Sequence, residues 1–363
     1  MVVVGGGPAG CTTAEVVASK GYRVLILEKK RCIGHPVRCG EFIPETEELK
    51  RMLPSARNLD EVFDIPKDLK ARSIDEIILV SPRGKEFRFD FSGYSTWRER
   101  FDLYLAEKAR RAGAEISTGS FVVENLFSGG RSRGVKLSTD RVIEGRVIVG
   151  ADGPHSIIAR GAGLPSQNLV PAVTSRIPGE FGSSVRMFFG SIAPGGYAWI
   201  IPKDGCANIG LGAQIKRLKG RQLTRILHEF LVSQGITGEL PQISGKFIPI
   251  NGPRKVTVAG NVILVGDSAG HVMPTNGGGI PIAMICGSIA GGVISDCLEG
   301  KCKLQRYETA WRKQVGRELE TAKRVKRIAD TLAFRSDSLL EFWMRTLGVK
   351  RLQRVIKCRT PFG

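Results

Sequence analysis

The sequence predicts an α/β protein in which a doubly wound, Rossmann-like unit is interrupted by an antiparallel β-rich lobe and followed by C-terminal helices. A β-branched run at residues 2–4 ends in Gly5-x-Gly7-x-x-Gly10, and a helical pattern of small residues follows at 9–20. From about residue 170 to 250 the pattern changes to short successive strands, and a buried strand pattern returns at 261–265. Strands that alternate with helices indicate a parallel sheet, whereas successive short strands indicate an antiparallel one.

The glycine pattern near the N-terminus is typical of a dinucleotide-binding turn. Gly5 would make the turn, Gly7 would let backbone N–H groups approach a pyrophosphate, and Gly10 would let helix and strand pack closely. A second strand at 22–27 ends at Glu28, whose carboxylate suits a ribose hydroxyl pair. An ordinary glycine-rich turn is the alternative, but strand, helix and acidic residue together favour dinucleotide binding.

Composition limits the possible partners of the chain. Its 363 residues indicate two domains, or one large α/β unit with an inserted lobe. The net charge of +19 predicts an anionic partner, such as a phospholipid surface, a phosphorylated substrate, an acidic protein or nucleic acid. We expect no nucleic-acid partner, because no helix-turn-helix or zinc-finger spacing accompanies the charge. Eight cysteines without close CxxC pairs predict reduced thiols in a cytoplasmic protein.

The remaining elements follow from local pattern. The four residues before Gly5 are short for a buried strand, so we expect the native chain to start slightly earlier, with no signal peptide. The apolar run at 280–294 contains Pro281 and is shorter than the roughly 20 residues that a membrane span needs, which predicts a buried helix. Further predicted helices lie at 44–53, 98–113, 222–234, 304–332 and 337–357, and predicted strands at 73–80, 86–91, 122–126, 134–137, 142–149, 172–177, 184–189, 197–201, 207–213 and 243–250.

These patterns divide the chain into three regions. We predict a discontinuous dinucleotide-binding domain at 1–72, 95–168 and 255–300, and a β-rich substrate domain at 73–94 and 169–254. A helical region rich in Arg and Lys follows at 301–363.

Three fingerprints together resemble the FAD-binding domain (glutathione-reductase-2 type) of the para-hydroxybenzoate-hydroxylase-like flavoproteins. They are the GxGxxG turn with Glu28, the turn at Asp152-Gly153, and Gly266-Asp267 at a strand end. More narrowly, the chain resembles the archaeal geranylgeranyl reductases of the digeranylgeranylglycerophospholipid reductase type over about residues 2–311. That narrower resemblance lies in Pro-Val-Arg-Cys-Gly-Glu at 36–41, Gly-Tyr-Ala-Trp-Ile-Ile-Pro at 196–202 with Asn-Ile-Gly-Leu-Gly at 208–212, and Gly-Gly-Gly-Ile at 277–280.

Two positions depart from the family pattern. Ile201 stands where the family usually has phenylalanine, and Trp97 stands where an acidic residue usually precedes the arginine of Arg98-x-x-Phe101-Asp102. We expect both changes to affect the apolar lining, and hence substrate shape, more than flavin binding.

The resemblance implies an FAD-dependent reductase that saturates isoprenoid C=C bonds of geranylgeranyl chains on an archaeal-type phospholipid, with hydride from flavin N5. No second GxGxxG is present for a resident nicotinamide dinucleotide, so NAD(P)H would bind transiently or ferredoxin would deliver the electrons. Cys39 is the catalytic candidate, with ordered water or the flavin as other sources of the proton. The implied FAD contacts are Gly5, Gly7, Ala9, Gly10, Glu28, Arg38, Cys39, Gly40, Arg98, Val122, Asp267, Gly279 and Ile280.

Each of these assignments has a structural alternative. Asp267 could instead cap the following helix, and Arg98 could form a surface salt bridge with Asp102 four residues along the same helix. The glycines at 277–279 could form only a flexible loop. Cys39 could be a buried small hydrophobe, although Arg38 beside it could lower its pKa. Asp152 is expected to shape a turn.

Tyr197 and Trp199 lie two apart on a strand and therefore on one face, where they could line an apolar slot for a prenyl chain or pack in the core. We predict no metal site, because no histidine has metal-ligand spacing around it. The basic C-terminal helices predict attraction to an anionic membrane surface, and hence a peripheral position at the inner face of the cell membrane. Two other functions remain open: a flavin monooxygenase acting on an aromatic or polyprenyl substrate, and a non-catalytic prenyl-binding protein like the Rab-GDP-dissociation-inhibitor relatives of this fold.

Overall fold

The computed structural model describes residues 1–238 and 241–362, which form three sheets and a set of helices. In chain order the strands are β1 (Val2–Val4), β2 (Leu25–Glu28), β3 (Phe42–Pro44), β4 (Lys70–Val80), β5 (Glu86–Thr96), β6 (Glu115–Thr118), β7 (Val122–Ser128), β8 (Arg131–Leu137), β9 (Val142–Glu144), β10 (Ile148–Gly150), β11 (Val170–Pro178), β12 (Ser184–Phe188), β13 (Tyr197–Lys203), β14 (Cys206–Gly212), β15 (Ser244–Ile248), β16 (Val258–Ala259) and β17 (Val262–Leu264). The helices are α1 (Pro8–Ala18), α2 (Thr46–Met52), α3 (Leu59–Val62), α4 (Arg98–Arg111), α5 (Ile157–Gly161), α6 (Ile215–Leu218), α7 (Leu223–Ser233), α8 (Ile280–Leu298), α9 (Arg306–Trp311), α10 (Arg317–Leu332) and α11 (Asp337–Ile356).

The first sheet is the predicted Rossmann-like unit. Its strand order is β16-β17-β10-β1-β2-β6, and all neighbours are parallel except β16 and β17. Residues 2–4 of β1 are buried on both faces, which explains the run of three valines. Because the carboxyl ends of parallel strands meet at one edge, the turns after β1, β10 and β17 lie side by side.

The second sheet forms the lobe. Its order is β15-β11-β14-β13-β12-β4-β5-β3, and neighbouring strands are antiparallel except β12 and β4. Three separate parts of the chain contribute to it, residues 42–44, 70–96 and 170–248. The strands β7, β8 and β9 form a small antiparallel sheet of their own. The fold class predicted from the sequence is therefore confirmed.

Helix α8 is long and apolar enough to cross a membrane, but 72% of its most apolar stretch is buried inside the protein. It packs against α1 through two glycines one turn apart. A Cβ on Gly287 would lie 2.7 Å from the Ala9 carbonyl oxygen, and one on Gly291 would lie 2.6 Å from Val16 Cβ. The glycines thus allow the two helices to approach closely, and α8 is the buried helix that the apolar run predicted.

Several predicted boundaries were wrong. The helix expected at 44–53 begins at Thr46, because residues 42–44 pair with β5 as a strand. The hairpin strands β4 and β5 are both longer than predicted. The helix expected at 304–332 is divided by a π-helical turn at residues 312–316, and α11 is interrupted at Gly348, which has a φ of 66°.

Candidate active site

Glycine-containing turns from several strands meet at the carboxyl edge of the first sheet. A Cβ on Gly5 would lie 2.2 Å from the carbonyl oxygen of Ala151, in the turn after β10. A Cβ on Gly266 would lie 2.9 Å from that of Ala9, and one on Gly279 would lie 3.5 Å from Asp267 Oδ1. The structure therefore brings the predicted cofactor residues of three separate motifs into contact with one another.

Two glycines of the GxGxxG turn differ in what surrounds them. Gly10 packs inside the turn, since a Cβ there would lie 2.0 Å from the Gly5 carbonyl oxygen. Gly7 lies at the N-terminus of α1, and a Cβ there would meet no protein atom within 4 Å. The N-terminus of a helix with open space in front of it is a suitable place for a pyrophosphate. The geometry at Gly7 fits an FAD pyrophosphate.

Glu28 holds the same turn in place. Its Oε2 accepts a hydrogen bond from the Gly6 N–H at 2.8 Å, and its Oε1 accepts one from the Lys30 N–H at 2.9 Å. A carboxylate can accept about four hydrogen bonds, so capacity remains for ribose hydroxyls. Val122, by contrast, is buried in a cluster with Val4 and Leu27, so only its backbone could face the cofactor.

Asp267 forms an ion pair that the sequence did not predict. Lys246 Nζ, on edge strand β15 of the lobe, lies 2.6 Å from Asp267 Oδ2. Burial opposes the charge of Lys246, but Asp267 raises the pKa of the lysine above its ordinary value. The N-cap residue of the short helical turn at 266–269 is Val265, so Asp267 lies inside the turn and does not cap it. The capping alternative is thus wrong, and the pair links the lobe to the predicted flavin site.

Asp152 has the turn-shaping part that we expected. Its Oδ2 accepts hydrogen bonds from the backbone N–H groups of Ile157 at 2.7 Å and Ile158 at 3.2 Å, at the start of α5. Burial raises the pKa of this carboxyl group above its ordinary value, against those hydrogen bonds. The side chain therefore fixes the turn after β10.

Arg98 and Asp102 form a bidentate pair within the first turns of α4. Nε and Nη2 of Arg98 donate to the two carboxylate oxygens at 2.9 and 2.8 Å. The salt bridge of the alternative is therefore present, but it is mostly buried, with side chains 13% and 8% exposed. Burial opposes the charge of Arg98, but Asp102 and the Cys39 thiol raise the pKa of the guanidinium above its ordinary value. Arg98 thus lies beside Cys39, and its contact with a pyrophosphate stays a prediction.

Cys39 is half-buried in the loop that joins the two sheets. The Glu41 N–H donates to Cys39 Sγ at 3.2 Å, and Asn208 Nδ2 donates to the Cys39 carbonyl oxygen at 2.8 Å. Arg38 is exposed, and the cations that interact with Cys39 include Arg98 and Lys246. The loop also touches β13, since a Cβ on Gly40 would lie 3.1 Å from Ile201 Cδ1. Ile201 therefore shapes the surroundings of Cys39.

Glu41 is the centre of a buried polar network that sequence reasoning missed. Its carboxylate is fully buried and has four partners: Lys203 Nζ at 2.8 Å, Asn208 Nδ2 at 3.0 Å, the Arg98 N–H at 3.1 Å and Arg176 Nη2 at 3.3 Å. These partners come from β13, β14, α4 and β11. The carboxylate therefore fixes the Cys39 loop between the two sheets. Its place in the motif at 36–41 was the only signal for it in the sequence.

Trp97 takes part in the same network. The Lys203 ammonium lies 4.1 Å from the centre of its ring and the Arg176 guanidinium 4.7 Å from it. Arg176 is also paired in bidentate fashion with Glu99, at 3.0 and 3.1 Å. Burial lowers the pKa of Lys203, against the effect of Glu41. Our expectation that Trp97 belongs to the apolar lining was wrong, because its ring faces two cations and attracts them through its π electrons.

The two aromatic residues of β13 point toward the glycine-lined edge. The ring centroids of Tyr197 and Trp199 are 5.8 Å apart. Trp199 Nε1 donates to Asn208 Oδ1 at 2.8 Å, and the Tyr197 hydroxyl donates to the carbonyl oxygen of Asn276, just before the glycines at 277–279. Burial raises the pKa of Tyr197, so the phenol stays neutral. Trp199 thus lies against the Cys39 loop and Tyr197 against the turn before Gly277.

The glycines before α8 form an ordered turn. The Gly278 N–H donates to Asn276 Oδ1 at 2.8 Å, and Asn276 Nδ2 donates to the Ile356 carbonyl oxygen at the end of α11, at 2.9 Å. Helix α8 begins at Ile280 directly behind this turn. The turn thus has a defined hydrogen-bond pattern, and the positive end of α8 faces the same edge of the sheet.

Within residues 1–238 and 241–362, no group of three or more His, Cys, Asp and Glu side chains could hold a metal ion. All eight cysteines are free thiols.

Comparison with known proteins gives consistent family matches. The family model described as FAD binding domain matches residues 1–177, and the one described as geranylgeranyl reductase catalytic domain matches residues 177–244. The digeranylgeranylglycerophospholipid reductase 2 of Methanopyrus kandleri is 33% identical and the alignment covers 90% of this chain and 86% of that protein. The digeranylgeranylglycerophospholipid reductase of Methanocaldococcus jannaschii is 32% identical, over 96% of this chain and 90% of that protein.

Comparison with solved structures also finds a geranylgeranyl reductase-like protein. A geranylgeranyl bacteriochlorophyll reductase-like protein from Thermoplasma acidophilum superposes with a TM-score of 0.83 at 26% identity, over 99% of this chain and 92% of that one. A flavin-dependent brominase reaches a TM-score of 0.73 at 16% identity, over 98% of this chain and 92% of that one, which shows a shared fold alone.

Proposed function

The chain belongs to the digeranylgeranylglycerophospholipid reductase family, and from this premise we propose that its substrate is a glycerophospholipid whose geranylgeranyl chains it hydrogenates at their C=C bonds. It is an FAD-dependent oxidoreductase of membrane-lipid biosynthesis. Because its relatives are named as reductases, a catalytic function is better supported than the non-catalytic prenyl-binding alternative.

One observation supports this substrate most strongly. The glycine-lined edge of the first sheet and the aromatic strand β13 meet at Cys39, where Gly40 approaches Ile201 and Tyr197 binds the turn before Gly277. A prenyl chain needs an apolar slot, and it must reach the cofactor edge to react. The meeting of these two features at Cys39 supports this as the place where the prenyl chain would lie.

In this mechanism the residues of the chain bind the cofactor, orient the prenyl chain and shield it from water. FAD, when bound and reduced, supplies the hydride. Gly7 and the N-terminus of α1 would hold its pyrophosphate, and Glu28 and Asp267 would accept hydrogen bonds from its hydroxyl groups. The N-terminus of α8 at Ile280 stabilises nearby negative charge by about 0.3–1 kcal/mol.

Cys39 is the proposed proton source. Its Sγ is held by the Glu41 N–H and lies beside Arg98, so the thiol has a fixed position. An isolated alkene is a poor hydride acceptor, so the double bond must be held close to the cofactor and away from water. Tyr197 and Trp199 would provide this shielding by packing on the prenyl chain.

The electron donor and the location are further parts of the proposal. NAD(P)H binding transiently, or ferredoxin docking on the basic surface, would reduce the flavin. Residues 321–362 contain eleven Lys and Arg against three Asp and Glu, which supports a peripheral position at the inner face of the cell membrane.

Mass spectrometry of lipids tests the function. The dithionite-reduced holoprotein is incubated anaerobically with an unsaturated archaeal-type phospholipid, and a Cys39→Ala variant serves as comparison. We expect mass gains in steps of two hydrogens, with slower gains in the variant. A mass gain of one oxygen under air, with no hydrogenation of the lipid under anaerobic conditions, would instead indicate a monooxygenase. Unchanged lipid under all conditions would contradict the proposed substrate.

A further inference from the structure

The connection between the last two long helices exposes a group of apolar side chains. We define the helix elbow as residues 328–342, which include the end of α10, the connection and the start of α11. Four large apolar side chains of the elbow are strongly exposed: Ile328 (57%), Leu332 (47%), Leu339 (41%) and Phe342 (58%). Ile328 and Leu332 lie one turn apart on α10, and Leu339 and Phe342 lie three residues apart on α11. Neighbouring exposed apolar side chains of this kind usually mark a binding surface.

Basic residues surround this apolar group. Arg324, Arg327 and Ile328 precede Leu332 at helical spacing and are exposed, as is Arg335 in the connection. Of the three acidic residues of the elbow, Asp337 is partly buried and packs near Gly190, and the other two have hydrogen-bond partners. Asp330 accepts hydrogen bonds from Gln214 at 2.8 Å and Lys326 at 2.7 Å, and the buried Glu341 accepts one from the Arg83 N–H at 3.1 Å. The exposed face of the elbow is thus both apolar and cationic.

The elbow is firmly attached to the lobe. Arg217 Nη2 donates to the Asp330 carbonyl oxygen at 2.7 Å, and Arg217 Nη1 donates to the carbonyl oxygen of Phe334. These bonds hold the backbone of the elbow in one position. The exposed side chains are therefore presented by a fixed structure.

A row of aromatic rings leads from the elbow to the candidate site. Phe334 in the elbow lies 6.4 Å from Phe189, Phe189 lies 5.8 Å from Tyr197, and Tyr197 lies 5.8 Å from Trp199, all between ring centroids. Trp199 in turn lies next to Gly40, beside Cys39. Apolar contacts therefore connect the exposed elbow to the place where the prenyl chain is proposed to react.

We propose that the helix elbow docks on an anionic lipid bilayer, with Ile328, Leu332, Leu339 and Phe342 inserted at its interface. The arginines beside them pair with lipid phosphates, and prenyl chains enter along the aromatic row. This inference rests on the proposed function, because a reductase of membrane phospholipids has to receive its substrate from a bilayer. Apolar side chains flanked by cations are typical of helices that lie in the membrane interface.

Vesicle co-sedimentation with the FAD-loaded full-length protein tests the docking surface, without substrate or reductant. Vesicles of phosphatidylcholine with one quarter phosphatidylglycerol are compared with phosphatidylcholine alone. The apolar variant is Leu332→Ser/Phe342→Ser, and its control is Leu103→Ser/Val232→Ser, which removes two equally exposed side chains on helices α4 and α7. The charge variant is Arg324→Gln/Arg327→Gln/Arg335→Gln, and its control is Arg131→Gln/Arg133→Gln/Arg141→Gln on the small sheet, with the same net charge.

We expect binding of the anionic vesicles to fall at least tenfold in both elbow variants and to stay within about twofold in both controls. Equal loss in the elbow and control variants would overturn the proposal, because binding would then not depend on the elbow. Dissociation of a dimer by the elbow variants, without any vesicle binding by the unmodified protein, would assign the surface to a second copy of the chain and also overturn it. Lipid hydrogenation in detergent needs no vesicle, so failure of the proposed function would be seen separately.

Discussion

Glu41→Gln is expected to destabilise the protein more than Lys203→Met, although each removes one side of the same buried ion pair. After loss of Lys203, the Glu41 carboxylate keeps Arg176, Asn208 and the Arg98 N–H, at 3.3, 3.0 and 3.1 Å. After loss of the Glu41 charge, the described contacts of the Lys203 ammonium include the face of Trp97 at 4.1 Å but no second carboxylate within ion-pair distance. Glu41→Gln therefore leaves a buried ammonium without a carboxylate partner, whereas Lys203→Met leaves a carboxylate that still has three partners.

The magnitudes follow from burial. Removal of one partner from a buried ion pair costs about 3–5 kcal/mol. Lys203 is fully buried, and it can avoid an uncompensated charge only by releasing its proton, which at pH 7 costs about 5 kcal/mol from an ordinary lysine pKa. We expect about 4 kcal/mol for Glu41→Gln and about 1–3 kcal/mol for Lys203→Met, since three partners of Glu41 remain. For a chain of 363 residues, 4 kcal/mol lowers Tm by about 5 °C.

Thermal unfolding of the two single variants and the double variant measures these values as a cycle. The double variant removes both charges, so we expect a coupling of about 2 kcal/mol between the two sites. Glu107→Gln is the control, because it breaks the exposed ion pair with Arg110 and should cost less than about 1 kcal/mol. Additive single effects, or a larger loss for Lys203→Met than for Glu41→Gln, would refute the reasoning.

Three further predictions concern the cofactor edge. Gly7→Ala should leave the Tm of the apoprotein unchanged but weaken FAD binding at least tenfold. Gly10→Ala should lower Tm as well, because its Cβ would lie 2.0 Å from the Gly5 carbonyl oxygen. Equal losses of Tm in the two variants would contradict this prediction. Lys246→Met should weaken binding of the anionic FAD about tenfold at low salt and less at high salt, because it leaves the Asp267 carboxylate at the cofactor edge unpaired. Lys246→Arg should restore binding, and fluorescence titration measures both. Burial lowers the pKa of His271 to about 3, so its contribution to stability is complete above pH 6.5 and is lost as the pH falls toward 3. His271→Leu should therefore remove about 2.3 kcal/mol of the stability loss between pH 6.5 and 4.5, and a slope unchanged from the parent protein would contradict the burial of this side chain.

Most of the cofactor edge could be predicted from local sequence patterns. The GxGxxG turn, Asp152-Gly153 and Gly266-Asp267 each follow a buried strand, and parallel strands place such turns at one edge. Cys39 could be placed near this edge only through the family resemblance, because a single cysteine carries no periodicity. The contacts of the predicted FAD and substrate residues with their ligands remain predictions.

By itself the sequence determined the α/β class, the buried helix α8 and the order of the glycine turns, because backbone conformation and hydrophobic periodicity are properties of short segments. Only the tertiary structure decided that Glu41 meets Lys203, that Lys246 meets Asp267 and that Trp97 faces two cations. These contacts join residues on separate elements, and they depend on strand register and on the left-handed backbone of Glu41 at a φ of 66°. No local pattern encodes such distances, since a charged side chain looks the same in sequence whether its partner is water or a buried ion.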